Sequence, residues 1–255
     1  MRSDSVFDSQ AMNYGAIAES ALGVELRGRV HKVVAGLIHA DANVADLGCG
    51  IGIDTSWLAP QVRSVYAVDA SPEMAALASL RCEPLPNVTV AHGAIETLTM
   101  ASPVDLVLAN FGVVNCVGDL TEFAARLAHM VVTGGRAVIV SMPRWCPIEL
   151  GIGIAGRNRA LLTRRRSGST SEQGYRGLDI RYASARALSV AFTPHFEMEH
   201  AEGLGVLLPP FEQRRWVEDR DWLRGVLAMA DRRVARAAAS LGIGDHHIAV
   251  FRRTP

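Results

Sequence analysis

The stretch VADLGCGIGIDT, residues 44–55, ends a short apolar run on a carboxylate, Asp46, and then sets Gly48, Gly50 and Gly52 at every second position. Glycines there can take a positive φ and let a ligand rest on bare backbone. A helix opening just after them turns free N–H groups and partial positive charge into the same crevice. A second carboxylate, Asp69, ends the next apolar run, SVYAVDA. It lies about twenty residues on, where a carboxylate can grip both hydroxyls of a ribose. A tight turn followed by a solvated Asp would explain the glycines alone. Two acids ending two successive strands weigh against it.

The spacing also discriminates between nucleotides. The glycines read G-x-G-x-G, not the G-x-G-x-x-G of dinucleotide sites, which disfavours a nicotinamide-dependent dehydrogenase. No Gly-Lys-Ser/Thr phosphate loop occurs in the chain. Asp46 would repel a pyrophosphate but suits a cationic ammonium. A nucleoside carrying an amino acid in place of phosphates satisfies both demands, and S-adenosylmethionine is that ligand.

The elements that must hold these residues follow from periodicity. Met12 to Ile38 reads as helical. Strands at Val44–Leu47, SVYAVDA, NVTVAHG, VDLVLAN and GRAVIVSM then alternate with helical stretches near 54–59, 72–81 and 120–130, the pattern of a parallel sheet covered on both faces. Ser71-Pro72 reads as a helix start and Thr133–Gly135 as a helix stop. Beyond Pro143 the pattern predicts a strand at LDIRYAS, a helix at Ala185–Phe192 and a strand-like FEMEHAEGLGVLLP. One long amphipathic helix over Gln213–Leu241 would place Trp216, Leu223, Val226, Leu227, Ala230 and Val234 on one side, and HHIAVFRR supplies a final strand.

In this order and spacing, VADLGCGIGIDT, YAVDAS, GAIETL, VDLVLANFGVVNCV and GGRAVIVSMPRW resemble the motifs of class I S-adenosylmethionine-dependent methyltransferases, nearest the small-molecule "methyltransferase type 11" kind. The resemblance is strong over about residues 5–145 and holds in outline beyond. It implies an α/β fold: a doubly wound, mostly parallel seven-stranded sheet with helices on both faces, Rossmann-like, its last strand antiparallel. Residues 1–255 form one domain in this reading, with an N-terminal helical lid over about 5–40 and a cap inserted over about 143–182. The resemblance further implies S-adenosylmethionine as cofactor and S-adenosylhomocysteine as product, with no metal. Asp46, Gly48, Cys49, Gly50 and Gly52 would line the methionine part, and Asp69 would hold the ribose beside Ala70. Ala94 and Ile95 would border the adenine, and Asn110 and Phe111 would lie near the sulfonium. Many relatives carry an Asp at the place of Ala94; here that hydrogen bond to the adenine amino group is missing. Tyr14 is the candidate lid residue.

For the acceptor, Tyr14 and Asn115 are candidate orienting groups, and Arg144 and Trp145 candidate pocket residues; no catalytic residue is assigned. Cys116 reads as a small filler and Asp119 as a helix cap. His195, His246 and His247 read as surface or turn residues. Arg157, Arg159, Arg164, Arg165 and Arg166 form either a basic clamp for an anionic substrate or a solvated face. A zero formal net charge, with 26 basic and 26 acidic residues, argues against a nucleic-acid partner. Four scattered cysteines, no signal-like start and no long apolar run point to a soluble cytoplasmic enzyme without membrane contact, as a monomer or a homodimer. The expected reaction is O- or N-methylation of a metabolite or natural-product intermediate. An RNA or protein methyltransferase, or a cofactor-binding protein turned to other chemistry, are the alternatives.

Overall fold

The computed structural model describes residues 11–165 and 180–255. Seven strands form one sheet: β1 Asn43–Leu47, β2 Ser64–Asp69, β3 Val88–His92, β4 Val104–Ala109, β5 Val131–Ser141, β6 Phe196–Leu204 and β7 His246–Arg253. Their spatial order is β3-β2-β1-β4-β5-β7-β6. The first five pair in parallel, and β7 runs antiparallel to both β5 and β6. The strand order therefore reverses between β1 and β4, and at that switch point their carboxyl ends open a crevice.

Helices cover both faces. α1 Ala11–Ala18 and α2 Ala21–Ala35 precede the sheet; α3 Ile53–Leu58, α4 Pro72–Cys82 and α5 Leu120–Met130 connect its strands. Next come α6 Pro147–Ala155, α7 Arg159–Thr163, α8 Ala185–Phe192 and α9 Asp221–Leu241. Leu22, Leu26, Val30 and Val34 of α2 recur at four-residue steps and are fully buried against Val44, Leu106, Val138 and Val140. Each such side chain contributes about 1.5–3 kcal/mol relative to exposure. Across the sheet, Phe123 and Leu127 of α5 pack with Leu188 and Phe192 of α8 and with Phe251.

Local chemistry sets the boundaries. Ser71 accepts from Met74 N ahead of Pro72, and Asp119 accepts from Thr121 N and Glu122 N, so both expected caps form. Ser20, accepting from Gly23 N, divides the expected single N-terminal helix into α1 and α2. Thr133–Gly135 belongs to β5, within a register shift against β4, because Met130 already ends α5. Residues 180–184 form no strand; the backbone there is held by Ala183 N donating to Met142 O and Ser141 Oγ donating to Ala183 O. The predicted Gln213–Leu241 helix is two pieces, a 3-10 turn Phe211–Trp216 and then α9. Its buried side is Ala228, Asp231, Ala235, Ala238 and Ala239, while Trp216, Val226 and Val234 are exposed. Asp231 causes this rotation: it pairs with the buried Arg29 and accepts from Leu207 N at 2.6 Å. An apolar count could not anticipate that a charged residue would face inward. No helix among the described residues is long and apolar enough to cross a membrane.

Candidate active site

The glycine bend leaves β1 and is pinned to β2. Gly48 N and Cys49 N both donate to Val68 O, and Gly50 N donates to Asp69 Oδ2 at 2.8 Å. Gly48, Gly50 and Gly52 all have positive φ. At Gly48 a Cβ would come within 2.4 Å of Val113, so no side chain fits. At Gly50 a Cβ would meet the Tyr14 ring at 3.4 Å. Helix α1 thus lays Tyr14 directly over the bend. Asp69 also accepts from Ser71 N at 2.9 Å, which fixes its carboxylate at the crevice. Ile95 is buried beneath the same edge, Ala70 is half-buried and Ala94 is exposed.

Behind the bend lies a buried charge network. Asp46 accepts from Thr55 Oγ1 at 2.6 Å, its one hydrogen bond among the described residues. Burial first, and then the neighbouring Asp54, raise its pKa to about 7. Asp54 accepts from Arg27, from Asn110 Nδ2 at 2.9 Å and lies 2.7 Å from His31 Nε2. Burial alone would raise its pKa, but Arg27 and His31 outweigh that and hold Asp54 below the usual carboxylate range. His31 stacks flat on Trp57 at 3.8 Å. Arg27 crosses over the Phe111 ring at 4.8 Å and approaches Tyr14 Oη at 3.5 Å, and its buried Nε has no hydrogen-bond partner.

Arg27, His31 and Asp54 were missed in the sequence reading. Its one clue was an arginine inside the stripe Leu22-Leu26-Val30, where a charge is stable only when paired. The residues fit the expected ligand. A buried anion (Asp46), a cation with an orphaned N–H (Arg27) and a side-chain-free bend together match a zwitterionic amino acid. Phe111, at φ 48, carries the chain away from β4 beside Asn110.

The acceptor side differs from expectation. Asn115 Nδ2 donates to Met142 O and Arg181 O, and its Oδ1 accepts from Met142 N at 2.8 Å. With both N–H groups engaged, Asn115 staples loops and has no donor left to orient an acceptor. Arg144 and Trp145 are exposed at the mouth of α6, and Trp145 O accepts from Gly244 N. Cys116 is half-buried, its thiol pushed up to about 11 by burial.

Within the arginine run, Arg164 and Arg165 are committed to ion pairs within the fold. Arg164 donates to both Glu149 oxygens and to Glu212. Arg165 is buried, donating to Glu149, Pro143 O and both the backbone and side chain of Asp245. Its acidic partners lie far along the chain, out of reach of any local charge count. Arg157 and Arg159 are exposed, and Arg166 lies outside the described residues. The Cys146, Glu149 and Asp245 donors converge within 4.8 Å of one another, but the Arg165 guanidinium supplies their counter-charge. His195 sits where β6 begins, at the opposite end of the sheet from the crevice. His246 and His247 are buried, not surface residues.

Residues 44–135 match the sequence model of a family described as a methyltransferase domain. No curated protein sequence is significantly similar to the chain. Among solved structures, the N-methyltransferase NodS of Bradyrhizobium japonicum, in complex with S-adenosylhomocysteine, shares 15% identity over 100% of both chains, with a TM-score of 0.65. A Haloferax volcanii putative methyltransferase in complex with the Trm112 activator shares 17% over 98% of each chain, TM-score 0.64. A Mesorhizobium loti S-adenosylmethionine-dependent methyltransferase shares 16%, covering 93% of this chain and 100% of its own, TM-score 0.59. At these identities the likeness establishes the fold. The fold is the one these methyltransferases share, and residues 44–135 carry the matched methyltransferase domain. The matched domain supports S-adenosylmethionine-dependent methyl transfer.

Proposed function

We propose that the enzyme methylates oxygen or nitrogen on a small metabolite or natural-product intermediate. The observation that carries this reading is the Tyr14 ring against Gly50. Helix α1 lays this ring over the glycine bend, which supports a small acceptor entering a covered site, as small-molecule sites are built. The balanced net charge agrees.

When bound, S-adenosylmethionine supplies a methyl group already activated on a positively charged sulfur. The chain's own residues would then hold, align and exclude water. Asp46 would take the ammonium and the orphaned Arg27 Nε the carboxylate, while Gly48, Cys49, Gly50 and Gly52 give the methionine part a bare floor. Asp69 would hold the ribose next to Ala70, with Ala94 and Ile95 along the adenine. Asn110, fixed by Asp54, and Phe111 would border the sulfonium, and Tyr14 would close the site over it. Arg144 and Trp145, exposed beside α6, would meet the acceptor at the entrance.

The test is methyl-tritiated cofactor incubated with a small-metabolite extract, with total RNA and with total protein in parallel. Label in the small-metabolite fraction alone is the expected result. Label confined to RNA or protein would overturn the reading.

A further inference from the structure

We propose that His246, positioned by Asp245, takes the acceptor's proton, and that the acceptor group is therefore a hydroxyl on an apolar molecule. This rests on the methyl-transfer reading above and deepens it.

Because β7 is antiparallel, its amino end lies at the same edge of the sheet as the carboxyl ends of β4 and β5. His247 pairs with Ser141, the last residue of β5, so His246 stands one step beyond. There its ring meets Phe111 edge-on, centroids 5.3 Å apart at 86°, and Phe211 at 6.4 Å. A residue 135 positions downstream of Phe111 in the chain is thus brought beside it. The two ring nitrogens are unequal. Nδ1 is fully buried and 3.1 Å from Asp245 Oδ2, close but out of line for a regular hydrogen bond. Nε2 bonds to no described residue.

The adjacent His247 provides an internal contrast. It accepts from Ala185 N on Nδ1 at 3.1 Å, and its Nε2 lies 3.0 Å from Ile243 O. Burial lowers its pKa to about 4. Both of its nitrogens are committed to the scaffold, so it can neither take nor give a proton. Of this histidine pair, only His246 keeps a nitrogen in reserve.

A carboxylate faces the His246 ring. Asp245 stays ionised: burial opposes this, but His246 and Arg165 outweigh it and hold the carboxyl low. Arg165 occupies Oδ1, leaving Oδ2 toward the imidazole. Glu149 and Cys146 stand behind Arg165, Tyr182 lies under its guanidinium at 5.5 Å, and Arg27, paired with Asp54, faces the site across Phe111. A neutral amine needs no base in the transition state, whereas a hydroxyl gains from one, which is why an oriented imidazole selects oxygen. As the hydroxyl oxygen forms its bond to the methyl carbon, the sulfur–methyl bond breaks and sulfur keeps that electron pair as a neutral thioether. The hydroxyl proton passes to His246 Nε2, and the imidazolium, held by Asp245, later returns it to water.

Wild-type protein and His246→Gln would be compared with catechol and 2-naphthol as acceptors and methyl-tritiated cofactor. Wild type is expected to methylate oxygen, with kcat/KM rising through one ionisation as pH increases. His246→Gln should lose that limb and about 100-fold or more of kcat, while S-adenosylhomocysteine affinity, read by calorimetry, stays put. An unchanged profile in the variant, or no turnover of either phenol by a protein that binds S-adenosylhomocysteine, would overturn the proposal. Long-range proton–nitrogen NMR of the S-adenosylhomocysteine complex gives a reading without any acceptor. The expected neutral form has its proton on Nδ1; a ring protonated at Nε2 in its neutral form would equally overturn it. Failure of wild type to bind S-adenosylhomocysteine would instead remove the methyl-transfer reading itself.

Discussion

Two buried charge clusters sit under this molecule's crevice edge, and they are built to opposite ends. The cluster of Arg165, Glu149 and Asp245 is closed: one guanidinium spends its donors on two carboxylates and two backbone carbonyls. The cluster of Arg27, Asp54 and Asp46 is open: Arg27 Nε is orphaned, and Asp46 is held by a single hydroxyl at the cost of a raised pKa. Saturated polar groups rigidify a fold, whereas unused capacity in a buried group is a destabilising feature that a ligand can relieve. The closed cluster fastens α6 and α7 to the amino end of β7; the open one is where the proposed function would seat the cofactor's amino-acid end.

Mutation can break this contrast. Arg165→Met strips the buried Asp245 of its guanidinium and leaves Glu149 to Arg164 alone, and should cost about 3–5 kcal/mol of stability in urea denaturation, with S-adenosylhomocysteine affinity little changed. Comparable stability with lost affinity would mean that the clusters had been assigned the wrong way round. In the open region the effect should reverse. Asp69→Ala removes a charged hydrogen-bond acceptor and should weaken S-adenosylhomocysteine binding about 100-fold by calorimetry, with a smaller loss of stability than Arg165→Met, from the freed Gly50 and Ser71 N–H groups.

The raised Asp46 pKa sharpens the contrast through pH. Its folded value, about 7, exceeds the unfolded value of about 3.9, so the folded chain binds the extra proton. Ligand-free stability therefore falls as pH climbs between those values. Cofactor affinity should move the other way, rising as pH increases toward 7 because only the ionised carboxylate pairs with an ammonium. Calorimetry in buffers of different ionisation enthalpy should show proton release on binding near pH 6, absent in Asp46→Asn. The smallest effect belongs to Ser184, whose hydroxyl accepts from Ala187 N at the start of α8. Ser184→Ala should cost about 1 kcal/mol and leave binding alone.

What the chain revealed in advance divides along similar lines. The bend at Gly48–Gly52, its flanking acids and the caps Ser71 and Asp119 are local, each fixed by neighbours within a few residues. Arg27 with Asp54, Arg29 with Asp231 and Arg165 with Asp245 are 27, 202 and 80 residues apart. Pairs so distant leave no periodic trace, and each looks on its own like a surface charge. That is why Arg164 and Arg165 read as solvated or substrate-binding, and why Val226 and Val234 of the expected α9 face lie exposed while Leu223 and Leu227 pack on the core. Asn115 failed for a related reason: its amide partners are backbone groups from loops that meet only in the folded chain.

Ala94 carries a practical consequence. In the proposed placement of the adenine, the exposed Ala94 methyl offers no carboxylate to the purine. With no acid to read the exocyclic nitrogen, alkyl or benzyl groups attached there should be accommodated at the rim. N6-substituted cofactor analogues would then label this enzyme's products inside a mixture of stricter methyltransferases, a route to its acceptor that starts from the donor.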